Sequence, residues 1–280
     1  MDLFKGRRLV VATKHQKEEV IAPILEAYLG VISIIPENFD TDALGTFSGE
    51  VERELDPIST ARKKCLLAMK AAKSDLGVAS EGSFGPHPTF VFKPADDEFL
   101  IFIDKLNGLE ILVRELSTET NFSGKKIQNE KELWTFAAEA RFPSHKLILR
   151  PSKMANQDIY KDISDKVSLL DTYIKLEEKY GTAYAETDMR AMNNPSRMEV
   201  IRKATVKLVE KINSICPECT TPGFGVTEVK RGLKCSLCGS PTSSILSHIY
   251  SCQKCSFVQE KLHPNEKALE EPMYCNYCNP

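Results

Sequence analysis

The sequence predicts an α/β protein, with a mixed sheet and flanking helices, followed by a small cysteine-rich module. Strand-like and helix-like apolar patterns alternate over residues 1–214, which favours layers of helix on sheet. Eight of the nine cysteines lie within residues 215–280. A chain of 280 residues with 42% hydrophobic content can bury a sizeable core and is long enough to form more than one domain. We therefore predict two domains, 1–214 with a ligand cleft and 215–280.

The first elements in chain order are a short buried strand, a helix and a second strand. The run RRLVVAT predicts the first strand, Gly30 ends the helix, and VISIIP predicts the next strand. A clear helix start follows, because the Asp56 side chain can cap the first turn and Pro57 suits the first helical position. The runs DLGVA and TFVF then predict strands, and Asn107–Gly108 predicts a hairpin turn.

The remainder of the first domain continues as alternating helices and strands. NEKELWTFAAEARF predicts a helix, HKLILRP a strand, and ISDKVSLLDTYIKLEEKYG a helix that Gly181 ends. A strand, TAYAETDM, leads into the last helix, which has Pro195 near its start. Cys65 and Trp134 are expected in the core, whereas Asp104, beside the hairpin turn, is expected at the surface.

The stretch ASEGSFGPHP, residues 79–88, comes directly after a predicted buried strand. If that strand is parallel, its carboxyl end is where open α/β sheets place their ligands. Glu81 could then hold Mg²⁺, His87 could act as a general acid or base, and the small residues Gly82 and Ser83 would let a backbone approach a ligand. The alternative is a Gly/Pro turn with solvated polar side chains.

Further candidates for a phosphate or metal site follow the first strand and precede the second helix. Lys14, His15 and Lys17 open the first helix, a geometry that suits phosphate, although a solvated basic start is the alternative. Glu50 is a second candidate metal ligand. Arg62 could reach a phosphate or face water.

Asp188, Arg190 and Arg197 lie near the start of the last predicted helix of the first domain. Opposite charges at a helix start are suited to binding an anion or to forming an ion pair with each other. Both interpretations stay open at this point.

The cysteine-rich module contains four C-x-x-C pairs. Their spacings, C-x2-C-x15-C-x2-C and C-x2-C-x19-C-x2-C, are typical of zinc ribbons, in which two knuckles supply four thiolates to one tetrahedral ion. The predicted ligands are Cys216, Cys219, Cys235, Cys238, Cys252, Cys255, Cys275 and Cys278. Sequential pairing is the simplest arrangement, and the spacing also permits an interleaved one. Closed four-cysteine sites favour a structural role for two zinc ions.

Charge and hydropathy argue against a nucleic-acid partner and a membrane partner, respectively. The net charge of the chain is −2, and the module carries six Lys or Arg and six Glu. Each four-thiolate zinc site adds about −2, so a nucleic-acid partner is disfavoured. No apolar run reaches the roughly 18 residues that span a bilayer, and no signal-peptide pattern is present. We expect a cytoplasmic protein without a membrane partner.

Two resemblances add to these predictions. Through segments such as GTFSGEVERELDPISTARKKC, TDMRAMNNPSRM and CPECTTPGFG, the whole chain resembles a bacterial family of uncharacterised proteins. More distantly, residues 8–85 resemble the inosine/xanthosine triphosphate pyrophosphatases. In that family a Thr/Ser-x-Asn loop meets the triphosphate, and a later strand ends in an acidic, Gly-containing motif that helps bind the metal.

In this chain Thr13 and His15 occupy the first loop, and Glu81-Gly82 resembles the acidic motif. The chain departs from the family where His15 replaces Asn and where Glu18 stands at the position of a lysine, with Lys17 one residue earlier. The double-Asp version of the motif is absent.

The sequence thus leaves open whether the chain is an enzyme. The leading hypothesis is a Mg²⁺-dependent phosphohydrolase or pyrophosphatase that acts on a nucleotide or related phosphate. Glu81 and Glu50 would hold the metal, and Lys14, Lys17 and Arg62 would neutralise phosphate charge. The alternative is a non-catalytic protein that senses a small anionic ligand and binds a protein partner through its zinc ribbons.

Overall fold

The computed structural model describes residues 3–36 and 55–280. Within them the chain forms two compact units. Unit 1 extends to Leu106 and also contains Leu112–Val209, whereas unit 2 contains Asn107–Ile111 and Glu210–Pro280. The sequence predicts that residues 1–214 and 215–280 fold as separate domains. The two compact units do not test independent folding, so this boundary stays a prediction.

Unit 1 is built on two sheets and five helices among the described residues. Its elements are β1 (Arg8–Ala12), α1 (Glu18–Leu29), β2 (Ile32–Ile34), α2 (Pro57–Ala71), β3 (Leu76–Pro86), β4 (Pro94–Asp104), β5 (Leu109–Ser117), β6 (Gly124–Ile127), α3 (Glu130–Glu139), β7 (Leu147–Arg150), β8 (Tyr160–Ile163), α4 (Lys166–Tyr180), β9 (Ala183–Thr187) and α5 (Pro195–Asn213). Strand β5 begins, and helix α5 ends, in the residues assigned to unit 2.

The first sheet is mixed, with strand order β2-β1-β3-β4-β5. Strand β1 pairs in parallel with both β2 and β3, whereas β3 and β4 are antiparallel along their whole length, from Leu76 opposite Asp104 to Pro86 opposite Pro94. Together with its helices, this sheet confirms the predicted fold class.

The prediction that ASEGSFGPHP forms a loop is wrong for most of its length. Strand β3 continues to Pro86 because β4 supplies hydrogen-bonding partners as far as Pro94. Strand β1, by contrast, pairs with β3 only as far as Ala12 opposite Ala79. Glu81 therefore lies within a strand, just beyond the carboxyl end of β1. The predicted strand TFVF is instead a turn between β3 and β4.

Helix α2 covers one face of this sheet. The Asp56 carboxylate caps it by accepting from the amides of Ile58 (3.0 Å) and Ser59 (3.1 Å), as the sequence predicts. Its buried face packs on strand residues in one apolar cluster, whose members are Val10, Ala12, Ala61, Cys65, Ala68, Met69, Ala79, Ile101 and Ile103. Cys65 is fully buried, which confirms its predicted place in the core.

Asp104, at the end of β4, is not at the surface. It is fully buried and accepts two hydrogen bonds from the Arg7 guanidinium, at 2.8 and 2.7 Å. A carboxylate held in this bidentate way loses water contacts without losing its hydrogen bonds. The long-range contact to Arg7, rather than the adjacent turn, decides its burial.

The second sheet is antiparallel, with strand order β6-β9-β7-β8, and helices α3 and α4 belong to its apolar core. Gly181 ends α4 with a positive φ of 65°, a conformation that glycine adopts without a Cβ clash. Trp134 is partly buried and packs against this core. Asn194 precedes α5 and accepts from the amide of Arg197 at 3.0 Å, which caps that helix.

Unit 2 contains a three-stranded antiparallel sheet of β10 (Gly225–Arg231), β11 (Ile245–Ser251) and β12 (Val258–Leu262). Its one described apolar cluster is small and is centred on Cys216, Phe224 and Cys252, with Tyr250 and Phe257 packed against it. Strand β12 is exposed along its whole length. Apolar burial alone therefore provides little of the free energy that holds this unit together.

Across the two described stretches of chain, no helix is both long enough and apolar enough to cross a bilayer.

Candidate functional site

Unit 1 buries a group of polar and charged side chains just beyond the carboxyl end of β1. We call it the buried charged cluster; its members are Lys17, Lys64, Ser80, Glu81, Asp96, Glu98 and Arg197. None of them is more than 8% exposed. Burying a charge is costly unless a partner compensates it, so the partners of each group decide what the cluster can do.

The register of β3 and β4 divides the cluster between the two faces of the sheet. Gly82 lies opposite Glu98, and Phe84 opposite Asp96. Because side chains alternate along a strand, Asp96 and Glu98 share one face, and Glu81 points to the other, which α2 covers.

On the α2 face, Glu81 is held by a buried ion pair. Its Oε2 lies 2.6 Å from the Nζ of Lys64. Glu81, the predicted metal ligand, therefore already has a cationic partner from the neighbouring helix. A metal ion at Glu81 would have to compete with that lysine.

On the opposite face, Glu98 is the centre of a buried ion triad. Its Oε1 accepts from the Nε of Arg197 at 2.6 Å, and its Oε2 lies 3.7 Å from the Nζ of Lys17, which also donates to Ser80 Oγ at 3.0 Å. Burial opposes ionisation of Glu98, but the charges of Arg197 and Lys17 outweigh it and hold its pKa below the ordinary value. Burial lowers the pKa of Lys17 to about 8, although Glu98 opposes that shift.

Asp96 is the unsatisfied member of the cluster. Its side chain is fully buried, and among residues 3–36 and 55–280 neither of its carboxyl oxygens has a hydrogen-bond partner. The Oε2 of Glu98 also accepts no hydrogen bond from the described residues. Burial, reinforced by the charge of Glu98, raises the pKa of Asp96 to about 8. A buried carboxyl without partners calls for an explanation, such as an ion, a water or a catalytic proton.

Gly82 allows the triad to form, because its backbone comes close to Arg197 and Glu98. A Cβ at this position would lie 2.4 Å from both Arg197 Nη2 and Glu98 Oε1. The guanidinium carbon of Arg197 also lies 4.9 Å from the centre of the Phe84 ring. The group that lies against the backbone of Gly82 is thus the side chain of Arg197, where the sequence predicts a ligand.

We expect Asp96→Asn to stabilise the protein increasingly as pH rises from 5 to 8 in magnesium-free buffer with zinc retained. Between the ordinary pKa of 3.8 and about 8, the folded state holds the Asp96 proton and the unfolded state releases it. The free energy of unfolding of the wild type therefore falls with pH, by at most about 1.4 kcal/mol per unit, and asparagine lacks this slope. Urea unfolding at pH 5, 6.5 and 8 measures the difference, and a constant difference would contradict the expectation.

The predicted phosphate-binding residues after β1 are only partly brought to the cluster. Lys17 belongs to it, whereas Lys14 is exposed and His15 is half-buried. Thr13 Oγ1 donates to Glu18 Oε2 at 3.0 Å. His15 and Gln16 both have positive φ, 67° and 62°, in a turn that leads into α1. Two consecutive non-glycine residues in the left-handed backbone region store strain beside the cluster.

His87, Ser83 and Arg62 are not members of the buried charged cluster. His87 Nδ1 accepts from the amides of the turn at Thr89 (3.1 Å) and Phe90 (3.0 Å). His87 follows the end of β3, and Phe84, three residues earlier, lies opposite Asp96 in the β3–β4 register. Ser83 is half-buried on β3, and Arg62 is half-buried on α2. The candidate Glu50 lies outside the described residues.

Asp188 and Arg190 form an ion pair with each other, the second of the two interpretations considered above. Asp188 is fully buried and also accepts from Asn193 Nδ2 at 2.8 Å. The same arginine reaches Asp162 at 2.9 Å. This arrangement orders the turn before α5.

Sequence reasoning missed Asp96, Glu98 and Lys64 as members of a site. A signal was present in PADDEFLIF, where two acids two residues apart lead into an apolar strand and so share a face. Arg197 was noted only as a charge at a helix start. Its pairing with Glu98 spans 99 positions of chain, which no local pattern reveals.

In unit 2 the eight predicted cysteines form two tetrads, and the pairing is interleaved. Tetrad 1 contains Cys216, Cys219, Cys252 and Cys255; tetrad 2 contains Cys235, Cys238, Cys275 and Cys278. Within each tetrad all four sulfurs lie within 4.8 Å of one another. Sulfur–sulfur distances between knuckles are 3.5 and 3.7 Å in tetrad 1, and 3.6 and 3.9 Å in tetrad 2. Tetrahedral zinc with Zn–S of about 2.3 Å separates its sulfurs by about 3.8 Å, so both tetrads fit it.

The surroundings of the tetrads stabilise thiolates. The amides of Leu237 and Lys254 each point at the first sulfur of their knuckle, Cys235 and Cys252, at 3.4 Å. In tetrad 2, hydrogen bonds from Ser240 lower the pKa of Cys238 to about 6. The thiol of Cys278 beside it has its pKa raised to about 12. Neighbouring sulfurs thus oppose each other's ionisation, and a bound dication would remove that conflict.

The architecture and the tetrads define a mixed α/β protein with a C-terminal module suited to binding two metal ions. Residues 64–280 match the model of a family described as a domain of unknown function, DUF6671, and the chain belongs to that family. This confirms the prediction of an uncharacterised family. No curated protein matches the chain.

Proposed function

We propose that unit 1 is a Mg²⁺-dependent phosphohydrolase acting on a nucleotide or a related phosphate, and that unit 2 carries two structural zinc ions. The observation that carries the first part is the carboxyl of Asp96, buried next to Glu98 and without a hydrogen-bond partner among the described residues. The spacing of the sulfurs in the two tetrads supports the second part.

The oxygen atoms on the β4 face of the cluster fit a magnesium ion. Mg²⁺ prefers hard oxygen ligands and is usually held by one or two carboxylates together with waters and substrate phosphates. Asp96 offers two oxygens that make no hydrogen bond within the described chain, and Glu98 offers Oε2, which makes none there and lies 3.7 Å from Lys17 Nζ. We therefore assign the metal to these two residues in preference to Glu81, which Lys64 holds, and to Glu50. When bound, the ion would neutralise charge on a phosphoryl oxygen.

The cations of the cluster suit a phosphorylated ligand. Lys17 lies at the start of α1 and Arg197 near the start of α5, and both face Glu98. With Asp96 protonated, the group of Lys17, Arg197, Glu98 and Asp96 carries a net positive charge, which favours an anion. Binding of the metal would release the Asp96 proton, because the ion binds the carboxylate form.

The test is release of phosphate and pyrophosphate from a panel of nucleoside triphosphates and their damaged forms, with and without Mg²⁺, by the full zinc-loaded chain. Asp96→Asn should lower Mg²⁺-dependent turnover by about 100-fold or more, since it removes a metal ligand. The matched control is Asp97→Asn. Asp97 is the next residue and points to the other face, where Arg114 binds it at 2.7 Å. The control should stay within about threefold of wild type.

Equal losses in the two variants would contradict the assignment of the metal to Asp96. No turnover on any member of the panel would favour the alternative, a non-catalytic protein that binds an anionic ligand and a protein partner. Calorimetric titration with MgCl₂ alone tests the metal site separately from the activity, because Asp96 and Glu98 can bind Mg²⁺ even if the protein hydrolyses no phosphate.

A further inference from the structure

A second polar site lies at the start of α5, and neither the resemblances nor the buried charged cluster accounts for it. His145 Nε2 lies 2.9 Å from Ser196 Oγ, and His145 Nδ1 lies 3.0 Å from Ser144 Oγ. Arg141 Nη1 donates to the same Ser196 Oγ at 2.7 Å. His145 is 5% exposed, whereas Ser196 is half-buried. The imidazole of His145 and the guanidinium of Arg141 thus both hydrogen-bond to the hydroxyl oxygen of Ser196.

The surrounding hydrogen bonds determine which imidazole nitrogen carries the proton. Ser144 Oγ donates its only proton to the carbonyl oxygen of Arg141 at 2.7 Å, so towards His145 it acts as an acceptor, and Nδ1 must be the donor. The amide of Ser196 donates to Nε2 at 3.2 Å, which requires a lone pair on that nitrogen. Both constraints give the Nδ1–H tautomer.

In this tautomer the lone pair of Nε2 faces Ser196 and accepts from both its hydroxyl, at 2.9 Å, and its amide, at 3.2 Å. Burial and the charge of Arg141 lower the pKa of His145, which favours the neutral imidazole that a general base requires. The relation of serine, histidine and an orienting third group is the arrangement that activates a serine nucleophile.

The serine is also accessible to a ligand. It lines a cavity of about 520 Å³, a volume within the range of small-molecule sites. The polar part of the lining consists of Ser117, Glu119, Arg141, Ser196, Glu199 and Lys203. Glu199 is paired with Arg202 at 2.6 Å. The remaining charges of the lining are Arg141, Lys203 and Glu119, whose net positive charge suits a substrate with an anionic group.

We propose that Ser196 is the nucleophile of a second activity, hydrolysis of a small carboxylic ester that bears an anionic group. Ser196 Oγ forms a bond to the acyl carbon while its proton passes to His145 Nε2. The bond from that carbon to the alcohol oxygen then breaks, and the departing oxygen takes the proton from Nε2. Arg141 stabilises the negative oxygen of the tetrahedral intermediate. Water, deprotonated by the same nitrogen, releases the acid and restores the serine.

The site also caps α5, since Nε2 accepts from the amide of Ser196. A cap alone would not make the hydroxyl of Ser196 reactive. The experiment must therefore measure the reactivity of this oxygen rather than the stability of the helix.

The experiment treats the full zinc-loaded chain with a fluorophosphonate probe, which forms an Oγ–P bond at an activated serine and releases fluoride, with the serine proton passing to the base. Peptide mapping locates the adduct. We expect labelling at Ser196 and none there in Ser196→Ala. His145→Gln, whose amide oxygen can still accept from the helix amide, should slow labelling by about 100-fold. Ser168→Ala, a half-buried serine in the first turn of α4 and outside the cavity, should match wild type within about twofold.

The proposal is overturned if Ser196 is labelled no faster than in urea-unfolded protein, if another residue takes the label, or if His145→Gln reacts at the rate of wild type. Circular dichroism confirms that the variants compared are folded. The outcome is independent of the phosphohydrolase, because Ser196 and His145 lie outside the buried charged cluster.

Discussion

The double variant Cys219→Ala/Cys255→Ala is expected to lose one of two bound zinc ions and to keep the other. Both cysteines belong to tetrad 1, so tetrad 2 retains all four sulfurs. Sequential pairing would instead place the two cysteines in different sites, and the same variant would then damage both. Metal content per chain, measured by mass spectrometry on purified protein, distinguishes one remaining ion from none.

The matched control is Cys219→Ala/Cys238→Ala, which also removes two thiols from two knuckles. These residues lie in different tetrads, so this variant should lose both ions. If the first variant loses both ions and the control loses one, the interleaved arrangement is wrong. Cys65→Ala removes the buried thiol of unit 1 and should leave the zinc content unchanged.

The loss of folding free energy should be large, because the two proposed zinc ions would stabilise unit 2 in place of a large apolar core. Structural zinc sites contribute about 10–16 kcal/mol of binding free energy at neutral pH, and a chain that folds with its metal receives that energy as folding free energy. Phe224 and two cysteines are the buried members of the unit's described apolar cluster. We therefore expect the control variant to expose unit 2 to proteolysis while unit 1 stays protected.

Glu98→Gln is expected to lower the free energy of unfolding by about 3–5 kcal/mol. The substitution keeps the shape of the side chain but removes the negative charge that faces Arg197 and Lys17, both less than 10% exposed. Two buried cations would then lack their shared counter-ion, and removing one partner of a buried pair costs about this much. Denaturant unfolding of the zinc-loaded protein at pH 7 measures the change.

Glu199→Gln is the matched control, because Glu199 also pairs with an arginine, Arg202, at 2.6 Å. That pair is about half exposed and joins residues three apart on α5, so its loss should cost less than about 1 kcal/mol. Similar losses in the two variants would show that the triad around Glu98 contributes no more than a surface ion pair.

Local features were predictable from the sequence because each depends on a few adjacent residues. The Asp56 cap with Pro57 after it, the left-handed Gly181 at the end of α4, and the C-x-x-C pairs all have their physical cause within one turn or one knuckle. The same reasoning failed at ASEGSFGPHP, because the glycines and prolines that predict a loop were outweighed by eleven paired positions along β4.

By itself, the sequence determined the α/β class, the place of Cys65 in the core, and the eight candidate metal ligands of unit 2. Only the tertiary structure decided which knuckles share a tetrad, that Lys64 holds Glu81, and that Arg197 pairs with Glu98. These contacts join groups from 17 to 99 positions apart in the chain. Sequence patterns report the preferences of neighbouring residues, whereas burial and charge pairing depend on which distant segments the fold brings together.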